Sequence, residues 1–252
     1  MKRSLTREPY RIAAVLPCRI SSTRLFAKPL QRVGNYTILE LLIKQLKKSN
    51  MINDIVLAIS RNVGNKLFVE LAKKNKIKFV LGDEVDVLGR LIQAAKHVKA
   101  NIVLRTTSEN PYIYWEGIDA LIKKHIEGNF DLSFHGGLPL GSGLEVINLK
   151  SLETSHKYGN KKHRGELSTL YIYENPQKFK IHRFEPAKTL QRPEIRLTVD
   201  TPQDLWVARI VYETLGKNGK PISLNKIIRF LDSHPRVKEI NSNILLKYKR
   251  YM

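Results

Sequence analysis

Between Leu16 and Leu30 the chain reads LPCRISSTRLFAKPL, so Arg19, Arg24 and Lys28 alternate with Ser21, Ser22 and Thr23. Arginine guanidinium groups can fork onto phosphate oxygens, and a lysine ammonium can act there as a point charge. Serine and threonine hydroxyls can add hydrogen bonds to the same oxygens. The group directly follows an apolar run, Ile12-Ala13-Ala14-Val15-Leu16, that reads as a buried strand. Two readings fit these residues: a solvated basic loop, or a clamp for a strongly anionic ligand. No G-x-x-x-x-G-K-[ST] or G-x-G-x-x-G pattern follows the strand. Side chains, rather than a glycine-lined bed of backbone amides, would therefore do the holding.

The elements that would position this loop alternate along the chain. Strands are expected at 12–16, 54–60, 77–81, 101–105 and 131–134, with amphipathic helices at 37–48, 65–75, 86–98 and 115–125. Such alternation implies an α/β fold, a mostly parallel twisted sheet with helices on both faces. Right-handed crossovers put the loops after the strands on one edge, where open α/β sheets bind ligands. The segments 16–30, 60–64, 82–86 and 105–111 should meet there. Further on, GGLPLGSGLEVI is rich in turn formers and leads to a strand at 144–147. Helices follow at 150–158, 166–173, 202–215 and 224–231, and strands at 179–184 and 194–199. The reading is one domain, with a tail at 1–10, an irregular insertion at about 135–165 and a basic tail at 235–252.

Bulk properties narrow the classes. A chain of 252 residues can form one α/β domain with a full core. Cys18 is the only cysteine, which excludes a disulfide framework and a cysteine zinc cluster. No apolar run is long enough to span a bilayer, and no apolar stretch follows the charges of MKRSLTREPY. A cytoplasmic protein is expected, with no membrane partner. The formal net charge is +21, which favours anionic ligands in general. The lysines lie in short scattered runs, and there is no zinc-finger spacing, ribonucleoprotein motif or helix-turn-helix. Nucleic acid is accordingly not expected as a partner.

Five segments, in order, resemble the cytidylyltransferases that make CMP-activated sugar acids, in particular the branch named for spore coat polysaccharide biosynthesis protein F. Leu16-Pro17-Cys18-Arg19-Ile20-Ser21-Ser22-Thr23-Arg24-Leu25-Phe26-Ala27-Lys28 resembles x-x-A-R-x-x-S-[ST]-R-L-P-x-K. Gly82-Asp83-Glu84-Val85-Asp86-Val87-Leu88-Gly89-Arg90 resembles G-x-x-x-D-V-L-x-R. Arg105-Thr106-Thr107-Ser108-Glu109-Asn110-Pro111 resembles R-x-T-x-D-x-P, and Gly143-Leu144-Glu145-Val146 resembles G-x-E-V. Arg196-Leu197-Thr198-Val199-Asp200-Thr201-Pro202-Gln203-Asp204 resembles R-L-T-V-D-T-P-x-D. The resemblance implies a nucleotide-diphospho-sugar transferase-like, Rossmann-like domain that transfers CMP from CTP to a sugar-type acceptor. It implies a catalytic set of Arg19, Lys28 and Asp200. Nucleotide contacts are implied at Leu16, Pro17, Ser22, Thr23, Arg24, Ser60, Gly82, Arg105 and Thr107. Mg²⁺ is implied on Glu109 and Asp200, and acceptor contacts at Glu145, Arg164, Glu166 and Arg196. A homodimer is implied too, with 135–165 the expected contact.

Departures from the pattern are local. Glu109 stands where the family has aspartate, Phe26-Ala27 where it has proline-glycine, and Cys18 where it has alanine. Arg164-Gly165-Glu166-Leu167 lacks the branch's histidine, with His163 nearby but out of register. Other residues have ordinary readings. Asp86 and the Asp200–Thr201 pair suit helix caps. Arg90 either pairs with a helix carboxylate or reaches phosphate. Glu145 is either an acceptor contact or a solvated strand residue. His135 and His163 read as surface residues, and Trp115 and Trp206 as helix-packing residues. Two rival functions fit part of this pattern. A glycosyltransferase of the same fold would use Asp83-Glu84-Val85-Asp86 as a metal pair. A degenerate relative would only bind nucleotide or RNA.

Overall fold

The computed structural model describes residues 10–244. Its centre is a seven-stranded sheet built from β1 (Ile12–Cys18), β4 (Asp54–Ser60), β5 (Lys78–Gly82), β6 (Ile102–Arg105), β7 (Leu132–His135), β8 (Glu145–Asn148) and β9 (Ile181–Phe184). The strand order is β5-β4-β1-β6-β8-β7-β9, and a short hairpin of β2 (Arg32–Val33) and β3 (Tyr36–Thr37) stands apart. β1 pairs in parallel with β4 and β6, as does β4 with β5 and β7 with β9. β8 alone runs antiparallel, between β6 and β7. The carboxyl ends of β1, β4, β5, β6 and β7 thus share one edge with the first residue of β8.

Alternation along β1 divides the core. Ile12, Ala14, Leu16 and Cys18 face α1 (Ile38–Leu46), α2 (Lys66–Lys74) and α4 (Ile118–Gly128). Ala13 and Val15 face α3 (Val87–His97), α5 (Leu149–Tyr158) and α6 (Leu170–Glu174). The other side of α1, through Ile38 and Leu41, meets α7 (Pro202–Leu215) and α8 (Leu224–Ser233) in a third apolar cluster. Helix starts follow capping chemistry. Thr37 accepts from the Glu40 N–H while Glu40 returns a bond to the Thr37 backbone, and Thr201 and Asp204 repeat this at α7. Asp86 caps α3, as its sequence suggested. Burial drives the Cys18 thiol pKa up to about 12, so it is a core residue rather than a nucleophile.

Several expectations change. Residues 194–199 form no strand. One bridge, Leu140 to Arg196, is all that remains, because Gly141 at φ +95 turns the partner chain away. The Leu140 carbonyl then accepts from both Leu197 and Thr198. The helix expected at 166–173 starts only at Leu170, since Glu166 is drawn to Arg19. Trp206 is exposed, whereas Trp115 packs on the core and donates to the Ile222 carbonyl. His163 is buried: its Nδ1 accepts from Asn160 N–H, so Nε2–H donates to Glu174. His135 is partly buried with its ring edge-on to Tyr114, and burial lowers its pKa to about 4. The segment 135–165 is not a mere insertion, since it supplies β8 and α5. At the carboxyl end, 235–239 form α9 (Pro235–Glu239) and Asn241 is buried. The tail at 1–9 and the basic run Lys247, Lys249 and Arg250 lie outside the described residues.

Candidate active site

The basic loop leaves the sheet at Cys18 and is pinned before it reaches any ligand. Asn65 accepts from the Ile20 N–H at 2.8 Å, and its amide donates to the carbonyl and hydroxyl of Ser60. Ala27 N–H donates to the Ile20 carbonyl at 3.1 Å, which closes the loop on itself. That closure puts Ala27 at φ 49, ψ 42, a left-handed conformation in which a Cβ costs energy. Glycine, the family's residue there, would carry no such cost. Ala27→Gly is therefore expected to raise the melting temperature by about 1–3 °C, after glycine's own entropic penalty is set against the relief. CTP affinity should stay within about twofold, because no side-chain contact is lost. Differential scanning fluorimetry checks the first outcome, and a fall in melting temperature contradicts it.

The loop's cations converge on one carboxylate. Lys28 Nζ lies 2.6 Å and Arg24 Nη2 2.8 Å from Asp200 Oδ1, and Arg196 Nη2 lies 3.1 Å from Oδ2. Burial works against the ionised Asp200, but Lys28, Arg24 and Arg196 more than offset it and hold the group below the usual aspartate range. Asp204 sets the turn. Its buried carboxylate takes the Asp200 and Thr201 N–H groups, Arg196 Nε at 2.7 Å and the Asn241 amide. Glu109 comes alongside because its carbonyl accepts from Val199 N–H at 3.2 Å. Burial pushes the pKa of the Glu109 carboxyl up, Lys28 opposes this, and Asp200 reinforces it. Two carboxylates beside a cationic loop form a donor set suited to a hard divalent cation. Among the described residues no group of three or more histidine, cysteine, aspartate or glutamate side chains could cage an ion. Magnesium needs only one or two carboxylates when substrate phosphates complete its shell, so Glu109 and Asp200 fit it.

The remaining expected residues divide into exposed and structural. Ser22 is half-buried and Thr23 exposed, both on the loop. Arg19 is exposed and ion-paired with Glu166. Thr107 lies on the loop after β6 with a buried hydroxyl that has no hydrogen-bond partner. Leu16 is wholly buried in the core, which leaves only its backbone for a nucleotide, while the Pro17 carbonyl is occupied by Ser108. Ser60 is buried and serves Asn65. Gly82 is needed for packing, since a Cβ there would fall 2.7 Å from Arg90 Cγ.

Arg105 and Glu145 turn inward. Arg105 Nη1 meets Glu145 Oε2 at 2.6 Å, and Nη2 donates to the Glu166 carbonyl. The other Glu145 oxygen accepts from Thr169 and Tyr173, so Glu145 is neither solvated nor free to touch an acceptor. This buried network fixes the segment that carries Glu166. Arg164 leans on the His156 carbonyl and stands 4.0 Å from Asp86, and its own carbonyl accepts from Leu88 N–H. Arg196 is buried between Asp200 and Asp204, apart from the acceptor role expected of it. Arg90 reaches no helix carboxylate, and its buried guanidinium holds the carbonyls of Ala58, Asp83 and Glu84 instead. Asp83 and Asp86 serve as turn and helix caps, which removes the metal pair of the glycosyltransferase reading. Asn65, Ser108 and Asp204 are the positioning residues missed from sequence. Only Asp204 had a signal, at the end of a segment already singled out.

A family model described as cytidylyltransferase matches residues 13–246. An uncharacterised protein of Methanocaldococcus jannaschii is 36% identical over 95% of this chain and 98% of its own length. The spore coat polysaccharide biosynthesis protein SpsF of Bacillus subtilis is 26% identical over 89% of this chain and 95% of its own. Among solved structures, a cytidylyltransferase from Leptospira borgpetersenii superposes with a TM-score of 0.85 at 22% identity, over 95% of this chain and 100% of that one. A CMP:2-keto-3-deoxy-manno-octonic acid synthetase complexed with CTP superposes at 0.63 with 15% identity, over 81% of this chain and 99% of that one. At these identities the structures establish the shared fold.

Proposed function

Since this chain belongs to the cytidylyltransferase family and is a CTP-dependent nucleotidyltransferase, we propose that it transfers CMP to a hydroxyl or phosphate of a sugar acid or related small acceptor, for surface glycan assembly. The observation that carries the reading is the convergence of Lys28, Arg24 and Arg196 on Asp200, with Glu109 alongside. In the free protein Asp200 neutralises cations that a triphosphate would otherwise occupy, and Glu166 does the same for Arg19. On binding, Arg24, Lys28 and Arg19 exchange their carboxylate partners for phosphate oxygens, and Ser22, Thr23 and Thr107 add hydrogen bonds. The acceptor oxygen attacks the α-phosphorus in line, its bond forming as the bond to the pyrophosphate oxygen breaks. The acceptor's proton leaves to solvent. The loop cations stabilise the charge that accumulates on the departing pyrophosphate, which is most of what such a displacement requires. Glu109 and Asp200 would hold a divalent ion such as magnesium, which would supply further charge neutralisation on the phosphate groups.

The sugar-type acceptor draws support from relatives named for spore coat polysaccharide synthesis and for a 2-keto-3-deoxy sugar acid synthetase. No helix among the described residues is long and apolar enough to cross a membrane, which is compatible with a cytoplasmic enzyme. Incubation with CTP, Mg²⁺ and a panel of 3-deoxy sugar acids, sugar phosphates and phosphonates tests the proposal. Pyrophosphate release with one acceptor class is the expected result. No release with any acceptor, together with no CTP binding, removes the reading.

A further inference from the structure

An acceptor hydroxyl that attacks phosphorus must lose its proton, and one carboxylate is placed to take it. Glu166 is exposed, yet its segment is tied to the ends of two paired central strands. Its backbone carbonyl accepts from Nη2 of Arg105, the last residue of β6, at 2.9 Å. Its carboxylate meets Arg19, the first residue after β1. Arg105 is held in turn, because Nη1 is bound by the buried Glu145, whose other oxygen accepts from Thr169. The segment is fastened again at Arg164, whose carbonyl accepts from Leu88 N–H at 3.1 Å. Glu166 therefore stands at the carboxyl ends of β1 and β6, where open α/β sheets bind ligands. Burial is the main reason that the Glu109 pKa is raised, and the Glu166 charge adds to it, so the two carboxylates lie within Coulombic reach.

The other carboxylates at this edge are committed elsewhere. Asp200 is gripped by Lys28, Arg24 and Arg196, and with Glu109 it forms the pair suited to a divalent ion. Glu145 and Asp204 are buried, each inside its own hydrogen-bond network. Asp86 caps α3 and meets His156. Asp83 and Glu84 belong to the turn after β5, two strands away from β1. Glu166 differs in that its partner is one the nucleotide would take from it. When Arg19 turns to the phosphates, the Glu166 carboxylate is left ionised beside them on a fixed segment. By charge alone a carboxylate in that place opposes triphosphate binding. What it offers the reaction is a free acceptor oxygen, held in position by the bonds behind it.

We propose that Glu166 is the general base of the transfer, an inference that rests on the cytidylyl-transfer reading and narrows the acceptor group to a hydroxyl. The carboxylate takes the hydroxyl proton as the acceptor oxygen bonds to the α-phosphorus, and the electron pair of the breaking bond leaves with pyrophosphate. Glu166 gives the proton up to solvent once the products depart. A phosphate acceptor presents an oxygen that is already ionised and needs no such group. Kinetics of pyrophosphate release on the full chain, with the hydroxyl acceptor that the wild type turns over fastest, test the proposal beside calorimetric CTP titration. Glu166→Gln should lower kcat about 10²–10³-fold and leave the acceptor KM within about threefold. It should bind CTP at least as tightly as the wild type, since Arg19 is freed. Glu166→Ala should regain rate about tenfold with added formate or acetate, more with the stronger base acetate, and none with chloride. The proposal is overturned by a Glu166→Gln kcat within about tenfold of the wild type, or by a loss confined to the acceptor KM. Rescue that is absent or equalled by chloride also overturns it, as does a wild type that accepts only phosphates or phosphonates. A wild type that neither binds CTP nor releases pyrophosphate overturns the cytidylyl-transfer reading and the base with it, whereas an active wild type with an equally active Glu166→Gln variant overturns the base alone.

Discussion

Lys28→Ala is expected to lower kcat/KM for CTP by about 10²–10³-fold, the range seen when one preorganised charge-stabilising donor is removed. Lys124→Ala, which removes the same charge, should leave it within about twofold. The two lysines differ in placement. Lys28 is 12% exposed and held against Asp200, in a part-buried site where Coulombic interactions are less screened than in water. Lys124 sits over the Phe184 ring beside the opposite edge strand. A chain that binds CTP through its bulk charge of +21 would show equal, small losses for the two variants. Steady-state kinetics on both, at two salt concentrations, separate the cases. The Lys28 effect should persist in high salt, where exposed charge is screened.

Asp200→Asn should cost turnover at least as much, about 10³-fold or about 4 kcal/mol, because it removes charge from the carboxylate pair proposed to hold a divalent ion. Asparagine keeps the shape and one acceptor oxygen, so the contact with Arg196 and the turn set by Asp204 should survive. Binding should respond in the opposite sense to turnover. With no carboxylate holding Lys28 and Arg24, CTP without metal should bind at least as tightly as to the wild type. Adding a divalent cation should tighten CTP on the wild type and do little for the variant. Calorimetric titration with and without Mg²⁺ measures both, and turnover within tenfold of the wild type would rule out this role for Asp200.

What the sequence could reveal followed from the range of each interaction. Strands β1, β4 and β6 were legible because an apolar run flanked by helical periodicity is a local pattern, and the loop clustering followed from sheet handedness. The cationic loop was legible from its residue types, whereas Asp200, far from it in the sequence, was legible only through the resemblance of residues 196–204 to a family motif. Interactions that depend on tertiary context were not. Nothing in the sequence around Glu145 says that Arg105, Thr169 and Tyr173 will enclose it. The apolar alternation at 194–199 suggested a strand, but Arg196 is held by Asp204 and the partner chain bends away at Gly141. Leu16 belongs to a ligand-binding segment by sequence and to the core by side chain. Ser108 acts on the backbone at the end of β1 and Asn65 on the loop that follows, and their type and position announce no such role.

On the proposed reading, the loop after β1 grips the triphosphate next to a divalent ion held by carboxylates. A structure of the protein soaked with CTP and Mg²⁺ measures this most directly. The expected electron density has the triphosphate against Arg19, Ser22, Arg24 and Lys28, with density for an ion at Glu109 and Asp200. Triphosphate bound elsewhere, with Lys28 and Arg24 still on Asp200, would contradict the account.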